Sequence, residues 1–440
     1  MNLEPEFTAK PPKGEGGLLG LAILSLLAGA VAGLIGAIFR LSLDQADRFR
    51  DALIAWAHGE KLAGFLLVTA TCTAAAAVAA WLVRRYSPQA SGSGIPHVEA
   101  VLSGEVPQAR YRLIPVKFVG GVLAIGSGLA LGREGPSVQM GASTAHLMGK
   151  VFRRHEDDCK ALLAAGAGAG LATAFNSPIA GAVFVLEELV RRFDTRITIV
   201  TLGASAGAIA VARVFLGDVP DFHVERIPYP SFGTVPVHIA LGLVSGCVGV
   251  VYNRAILGTL TVTNRLRRLP VELRAALIGA MVGLLAWFAP GVVGGGDAIT
   301  QRTLSGGETG AMLLGVFLLR FGLGPLSYAA ATPGGLFAPI LVLGSQSGLL
   351  FGSICYQWFP AAAADPITLG IVGMAAFFTA VVRAPVTGII LVIEMTASFT
   401  LLLPMLSACF AAMLMAHLLR NAPIYDSLRE RTLKQADKSD

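Results

Sequence analysis

Long apolar runs alternate with short polar or Gly/Pro breaks along almost the whole chain. Residues 17–39 and 62–83 contain no Asp, Glu, Lys or Arg over 23 and 22 residues. About 20 apolar residues suffice to cross a bilayer, so both predict full spans, and residues 395–419 predict a last one. Between them the runs are cut short. Residues 135–149 are charge-free for only 15 positions, and Asn176-Ser177-Pro178 divides the 161–186 run into two pieces too short to cross. Residues 321–364 lack a charge for 44 positions, yet Pro325, Pro333-Gly334-Gly335 and Pro339 interrupt them. Proline removes a backbone donor and clashes with the preceding turn, so these positions predict helix ends or kinks. The pattern predicts an all-α integral membrane protein, a dense bundle of short, tilted and partly re-entrant helices.

Three breaks stand out: Gly92-Ser93-Gly94-Ile95-Pro96, Gly132-Arg133-Glu134-Gly135-Pro136 and Gly334-Gly335-Leu336-Phe337-Ala338-Pro339. Inside a bilayer, backbone leaves a helix only where it is buried in protein or lines a wet cavity. Such interruptions point to a transport site, because they aim helix ends at the membrane interior.

The chain also repeats itself. An offset of 207 superposes Gly166 on Gly373, Pro178 on Pro385, Gly181 on Gly388 and Glu187 on Glu394, and an offset of 203 puts Pro136 on Pro339 and Gly141 on Gly344. Two structural halves, 17–216 and 235–420, follow within one transmembrane domain spanning 17–433. Residues 1–16 and 434–440 are expected as cytoplasmic flanks. Whether the halves are parallel or inverted is open at this level.

Composition agrees with the pattern: 54% of the 440 residues are hydrophobic and 14% charged, against roughly 25% charged in soluble domains. The first apolar run is too long for the roughly 7–15-residue core of a signal peptide, so no cleavable leader is expected. The net charge of +6 is scattered between apolar segments rather than gathered on one face, which argues against nucleic acid and for charged helix ends. Arg84 and Arg85, Lys10 and Lys13, and the five Lys/Arg after Leu419 place both termini in the cytoplasm under the positive-inside tendency; Arg40, Arg48 and Arg50 oppose it. Cys72, Cys247, Cys355 and Cys409 each stand alone in apolar sequence and are expected as small buried thiols. No Cys or His spacing suggests a metal, and no cofactor is expected.

A helix N-terminus presents unpaired N–H donors and partial positive charge, and glycine lets a small anion approach the backbone. Ser93 adds a hydroxyl between two glycines. One helix end is worth roughly 0.3–1 kcal/mol, about 2 when partly buried, whereas stripping an ion of water costs tens in the idealised limit. Several ends must therefore converge. A fixed Lys or Arg would hold the ion too tightly, because permeation requires release. Glu134 is the exception among the break residues. Ionised, its carboxylate competes with an anion for the same donors; protonated, it can leave. The other reading is a solvated loop Glu paired with Arg133. Glu187 and Glu188 end an apolar helix; Glu187 has a repeat counterpart in Glu394 and reads as structural, so Glu188 is the better functional candidate.

The segments GSGIP, GREGP and GGLFAP, with FNSPIAGAVFVLEE and VRAPVTGIILVIEMT, resemble the CLC family of chloride channels and proton-coupled chloride transporters over most of residues 17–433. The resemblance implies two inverted repeats, a homodimer with one pathway per subunit, and transport of chloride and protons across a bilayer, here a bacterial inner membrane crossed many times. It implies Ser93 and Tyr425 as hydroxyl ligands of the anion and backbone amides at Leu336 and Phe337, supported by backbone of Gly94, Ile95, Arg133 and Gly335. It makes Glu134 the external gate shared by chloride and protons, and Glu188 the internal proton-transfer site. Ser93 fits chloride-selective members, and His97 stands where bacterial relatives often carry an acid. Only 21 residues follow Leu419, so the cytoplasmic nucleotide-binding domains of longer members are not expected. Chloride/proton antiport leads, with a passive chloride channel as the alternative. An intramembrane enzyme would need a nucleophile–base pair, and Ser93 has no His or Lys at suggestive spacing, so no enzymatic role is expected.

Overall fold

Proline and left-handed residues set where the helices of this chain stop. The computed structural model describes residues 15–225, 227–266, 268–308, 310–359 and 365–436. Residues 1–14 and 437–440 of the expected flanks, with Lys10, Lys13 and Lys438, and residues 360–364 of the long charge-free run lie outside the described residues. The first half comprises α1 (Glu15–Ala57), α2 (Lys61–Tyr86), α3 (Ile95–Leu102), α4 (Leu113–Gly126), α5 (Glu134–Val151), α6 (Glu156–Phe175), α7 (Pro178–Phe184) and α8 (Thr195–Leu216). The second comprises α9 (Val235–Arg265), α10 (Val271–Phe288), α11 (Asp297–Leu304), α12 (Gly310–Tyr328), α13 (Phe337–Trp358), α14 (Pro366–Val382), α15 (Pro385–Thr396) and α16 (Leu402–Leu418), followed by α17 (Ile424–Ala436). Among the described residues, seven helical stretches are long and apolar enough to cross a membrane.

The repeat is written into the helix ends. Asn176 (φ 50°) closes α6 with its N–H on Ala172 O, and Pro178 opens α7. Offset by 207, Arg383 (φ 78°) closes α14 on Thr379 O, and Pro385 opens α15. Proline suits a first turn because its missing N–H would be unpaired there. Packing repeats as well: α5 pairs with α6 as α13 does with α14, and α1 with α8 as α9 does with α16. Both pairs touch backbone to backbone. A Cβ at Gly166 would run into Gly141 O, and one at Gly373 into Gly344 O; small residues let membrane helices approach this closely.

The halves are inverted. Glu187, just past α7, accepts from Val386 N–H (3.0 Å) and Thr387 N–H (2.7 Å) at the start of α15. Glu394, in the last turn of α15, accepts from Ile179 N–H (3.2 Å) and Ala180 N–H (2.8 Å) at the start of α7. Equivalent helices thus lie antiparallel, as inverted topology requires.

Several expectations need correction. Residues 395–419 are not one span: Met395 belongs to α15, Ala397 turns left-handed (φ 53°), and the crossing helix starts at Leu402. The prolines do mark helix ends as expected: Pro325 lies in the last turn of α12 and Pro339 in the first turn of α13. The 17–39 run is the apolar part of a 43-residue helix, about 65 Å long. Its C-terminal half carries Arg40 and Arg50, which oppose the charge rule by count but are paired, Arg40 with Asp221 at 2.7 Å and Arg50 with Asp47 at 2.6 Å and Asp51 at 3.0 Å. Cys72 and Cys409 are buried as expected, but Cys247 is exposed and Cys355 half-buried, because apolar helix faces here look outward to lipid as well as inward. Leu19, Leu66 and Phe410 are exposed for the same reason.

Candidate functional site

The three Gly/Pro breaks are laced together by backbone hydrogen bonds. Gly92 N–H donates to Thr332 O (3.0 Å) and Gly334 N–H to Gly92 O (3.1 Å), while Gly132 and Gly335 exchange both bonds at 2.8 and 2.7 Å. Gly132 and Gly335 are repeat equivalents paired antiparallel, so this bridge lies on the pseudo-two-fold axis. The N-termini of α3, α5 and α13 therefore converge near that axis.

Two buried basic side chains hold the turns. Lys117, fully buried within α4, donates from Nζ to Ala90 O (3.1 Å) and Gly92 O (2.7 Å). In the second half Arg320 of α12, also buried, donates to Val292 O (3.3 Å), Gly294 O (2.7 Å) and Gly295 O (3.2 Å), ahead of α11. A buried charge is tolerable only when its donors are satisfied, and converging carbonyls satisfy these.

Ser93 sits between Gly92 (φ 62°) and Gly94 (φ 89°), whose left-handed backbone turns the chain so that α3 starts at Ile95. Ser93 N–H donates to Tyr328 Oη at 3.4 Å. Its Oγ is buried without a hydrogen-bond partner among the described residues, and it lies where a side chain on Gly135 would be. Glu134 is fully buried at the first position of α5. Its side chain folds back over Gly132, so that Oε2 accepts from Ala338 N–H at 3.3 Å, at the start of α13. Oε1 has no partner among the described residues. Leu336 caps α13 and Phe337 begins it, both fully buried. The Phe337 ring packs against Phe175, Phe184 and Phe378 at 5.5, 6.1 and 4.5 Å. Tyr425, on α17, is fully buried with its hydroxyl unpartnered among the described residues, within electrostatic reach of Tyr328, Glu134, Glu188 and Glu99.

Arg133 does not pair with Glu134. Its Nε donates to Ala174 O (3.0 Å), Nη2 meets Asp221 (3.4 Å) and Nη1 meets Asp297 (2.8 Å). The solvated-loop reading of Glu134 is thereby set aside: the carboxylate is buried, and the neighbouring guanidinium is engaged elsewhere.

Glu188 lies in a π-helical turn, Val185–Leu189, closed by Val190 N–H on Val185 O at 2.8 Å. Such widened turns are common at functional sites. Its buried carboxylate is 3.8 Å from Arg191, which pairs with Asp426 at 2.8 Å. Glu99 joins this group and was missed in the sequence. It is buried on α3 with both oxygens unpartnered among the described residues, and its strongest charged neighbour is Glu188. An acid within the apolar stretch Ile95–Leu102 was the available signal.

Two cavities reach the site. One of about 160 Å³ joins Glu134 and Arg133 to Asp44, Asp47, Arg50 and Asp297. The other, about 760 Å³, reaches Gly92 and Gly94 past His97, Arg274 and Arg429. The first is lined by the C-terminal end of α1 and the second by Pro88 and Gln89, just beyond α2. With 26 residues, α2 separates its ends by about 39 Å, so the cavities open on opposite faces.

Helix ends and unpartnered hydroxyls converging on an inverted-repeat axis, between cavities on two faces, define a membrane transport protein. Residues 75–417 match the family described as voltage gated chloride channel, and the chain belongs to that family. Among similar relatives, the H(+)/Cl(-) exchange transporter ClcA of Vibrio cholerae is 38% identical over 419 residues, covering 93% of this chain and 89% of the relative. ClcA of Cronobacter sakazakii is 37% identical over 427 residues, covering 95% and 91%. A solved slow cyanobacterial Cl-/H+ antiporter superposes with a TM-score of 0.91 at 31% identity, over 95% of this chain and 99% of that one. A CLC-type fluoride/proton antiporter shares the fold at a TM-score of 0.77 and 23% identity, over 92% and 97%.

Proposed function

We propose that this chain is a chloride/proton exchanger, moving chloride one way across a bacterial inner membrane and protons the other. The observation that carries it is the position of Glu134: its carboxylate takes an N–H at the tip of α13, where a bare anion would also bind. An ionised carboxylate and chloride compete for those donors, so proton uptake by Glu134 frees the place for the anion. Ser93 Oγ, Tyr425 Oη and the amides of Leu336 and Phe337 ligate chloride, with backbone of Gly94, Ile95, Arg133 and Gly335 shaping the nest. Glu134 is the gate toward the smaller cavity, and Glu188 passes protons toward the opposite face. The relative at 38% identity is named as an H(+)/Cl(-) exchange transporter, which supports the assignment. The basic end of α2 and the basic α17 support a cytoplasmic face there, with both termini on it. One transmembrane domain, 17–433, acts as a homodimer; Ile179 on α7 and Val386 on α15 are exposed on a face that such a contact can cover. No cofactor takes part, and no reaction is catalysed.

The test is flux in liposomes. With voltage clamped by a potassium ionophore, an imposed chloride gradient drives protons uphill in the opposite direction. Glu134→Ala abolishes the proton movement and keeps chloride flux. Chloride flux without proton movement in the unsubstituted protein replaces exchange by a passive chloride channel, and strict coupling surviving Glu134→Ala removes the gate assignment.

A further inference from the structure

The side chain next to the gate is occupied by anchors on every donor-bearing side. Arg133 gives Nε to Ala174 O, Nη2 to Asp221 and Nη1 to Asp297, and Glu134 receives none of its bonds. The two acidic anchors differ. Asp221 is nearly buried and is itself paired with Arg40 at 2.7 Å. Asp297 is half-exposed at the first position of α11, makes the shorter contact to Arg133, and lines the same small cavity as Glu134. The turn before it is fixed by the buried Arg320. Asp297 is thus the acidic anchor that solvent reaches, held in place from behind.

We propose that Asp297 is a positioning residue for exchange: by holding the Arg133 guanidinium aside, it leaves the Glu134 carboxylate free to take and release protons through the cavity they share. Without Asp297, Nη1 of Arg133 is unpaired, and the buried Glu134 carboxylate within its electrostatic reach has an open oxygen. The guanidinium then pairs with Glu134, favours the ionised form and holds the gate shut. The inference rests on the role of Glu134 proposed above.

Other charges face the pair. The end of α1 supplies Asp44, Asp47, Arg50 and Asp51, and α11 supplies Arg302, which is engaged by Glu308 at 3.3 Å and Gly291 O. The start of α13 presents Phe337, Ala338 and Pro339, none ionisable, and Tyr425 faces Glu134 from the inner side. Arg50 is paired to Asp47 and Asp51, and Asp221 is shared with Arg40, so removing Asp297 frees Nη1 of Arg133 while Nε and Nη2 keep their anchors.

The experiment follows the Glu134 carboxyl band, assigned by its loss in Glu134→Gln, by infrared difference spectroscopy of the full chain in vesicles as pH is varied. In Asp297→Asn, and in Asp297→Ser as a second variant, the band titrates at a pH lower by about one unit or more, the effect of a cation placed beside a carboxylate. Asp297→Glu restores the parent titration. In an Arg133→Gln background, Asp297→Asn shifts the band less than in the parent, because only the direct influence of the Asp297 charge on Glu134 is then lost. A titration unchanged by Asp297→Asn and Asp297→Ser overturns the proposal, as does an equal shift in the Arg133→Gln background. Chloride-driven proton transport is measured on the same vesicles. Its absence in the parent protein sinks the exchanger reading, while the infrared titration still decides whether Asp297 governs Arg133.

Discussion

The carboxylates of Glu187 and Glu394 cap each other's half: each lies at the C-terminal end of its own helix run and satisfies two N–H groups at the start of the other's. The positions are separated by 207 residues, the offset of the repeat itself. A carboxylate at a helix N-terminus meets both unpaired donors and the positive end of the helix dipole. Duplication has therefore produced a reciprocal clasp in which Glu187 serves architecture, while its neighbour Glu188 has no repeat partner, since Met395 stands at the equivalent position.

The clasp carries stability. Hydrogen bonds to charged groups are worth about 1.5–3 kcal/mol each in net terms, and orphaned buried donors add to the loss. Glu187→Ala and Glu394→Ala should each cost about 2 kcal/mol, with Glu187→Ala the larger because Thr387 Oγ1 also donates at 2.7 Å. The two losses should add, since the caps sit at opposite ends of a 12-residue α15, about 18 Å long. Denaturant titration in detergent measures this; midpoints equal to the parent's would show the caps to be incidental.

Close backbone contact gives a second prediction. Gly166→Ala and Gly373→Ala each place a methyl against a backbone carbonyl of the partner helix, which cannot move aside as a flexible side chain can. Overpacking of this kind costs about 1–3 kcal/mol. Gly315→Ala in α12 is the control, because its added Cβ would meet nothing within 4 Å. Gly166→Ala and Gly373→Ala should lower the detergent unfolding midpoint while Gly315→Ala leaves or raises it; indistinguishable midpoints for all three would contradict the packing account.

What could be read in the chain before its structure was known follows from which residues act through the backbone. Pro178, Pro385, Gly94 and the glycines of the breaks impose local geometry whatever surrounds them, so the broken helices and the repeat were visible. The second-half equivalent of GSGIP escaped notice because Gly294-Gly295-Gly296 is followed by Asp297 rather than Ile-Pro, although Gly294 and Gly296 share the left-handed turns of Gly92 and Gly94. Lys117 and Arg320 carry no signal of their own, because a basic residue in a helical run looks the same whether it faces headgroups or a cluster of carbonyls. Glu99 was passed over since its burial beside Glu188 is a tertiary fact. The 395–419 run looked continuous because Ala397 in a left-handed turn leaves no signature in composition.

Proton transfer on the side of Glu188 yields a third prediction. Glu188→Gln keeps shape and removes the titratable group, so chloride-driven proton movement should fall to background while chloride flux stays within about threefold, a barrier change under about 0.7 kcal/mol. Glu99→Gln should slow proton movement without abolishing it, because Glu188 still has Arg191 and Asp426 beside it. Paired flux assays in liposomes report both quantities. Full coupling in Glu188→Gln would move the proton route elsewhere.

The two buried cations make the last prediction, because the same device holds different turns. Lys117 fixes Ala90 and Gly92, and Gly92 adjoins Ser93, so its loss frees the loop that presents the Ser93 hydroxyl, proposed above as an anion ligand. Arg320 fixes Val292, Gly294 and Gly295, ahead of Asp297 on the other cavity. Lys117→Met should weaken chloride binding by about tenfold, equivalent to about 1.4 kcal/mol, and Lys117→Arg should recover part of it, since a guanidinium also donates to two carbonyls but is bulkier and planar. Arg320→Met should leave chloride affinity within about twofold and instead disturb the anchor of Arg133. Isothermal titration of chloride into the purified protein separates these outcomes. Equal weakening by both substitutions would mean that the cations act on the anion through overall charge rather than through the turns they hold.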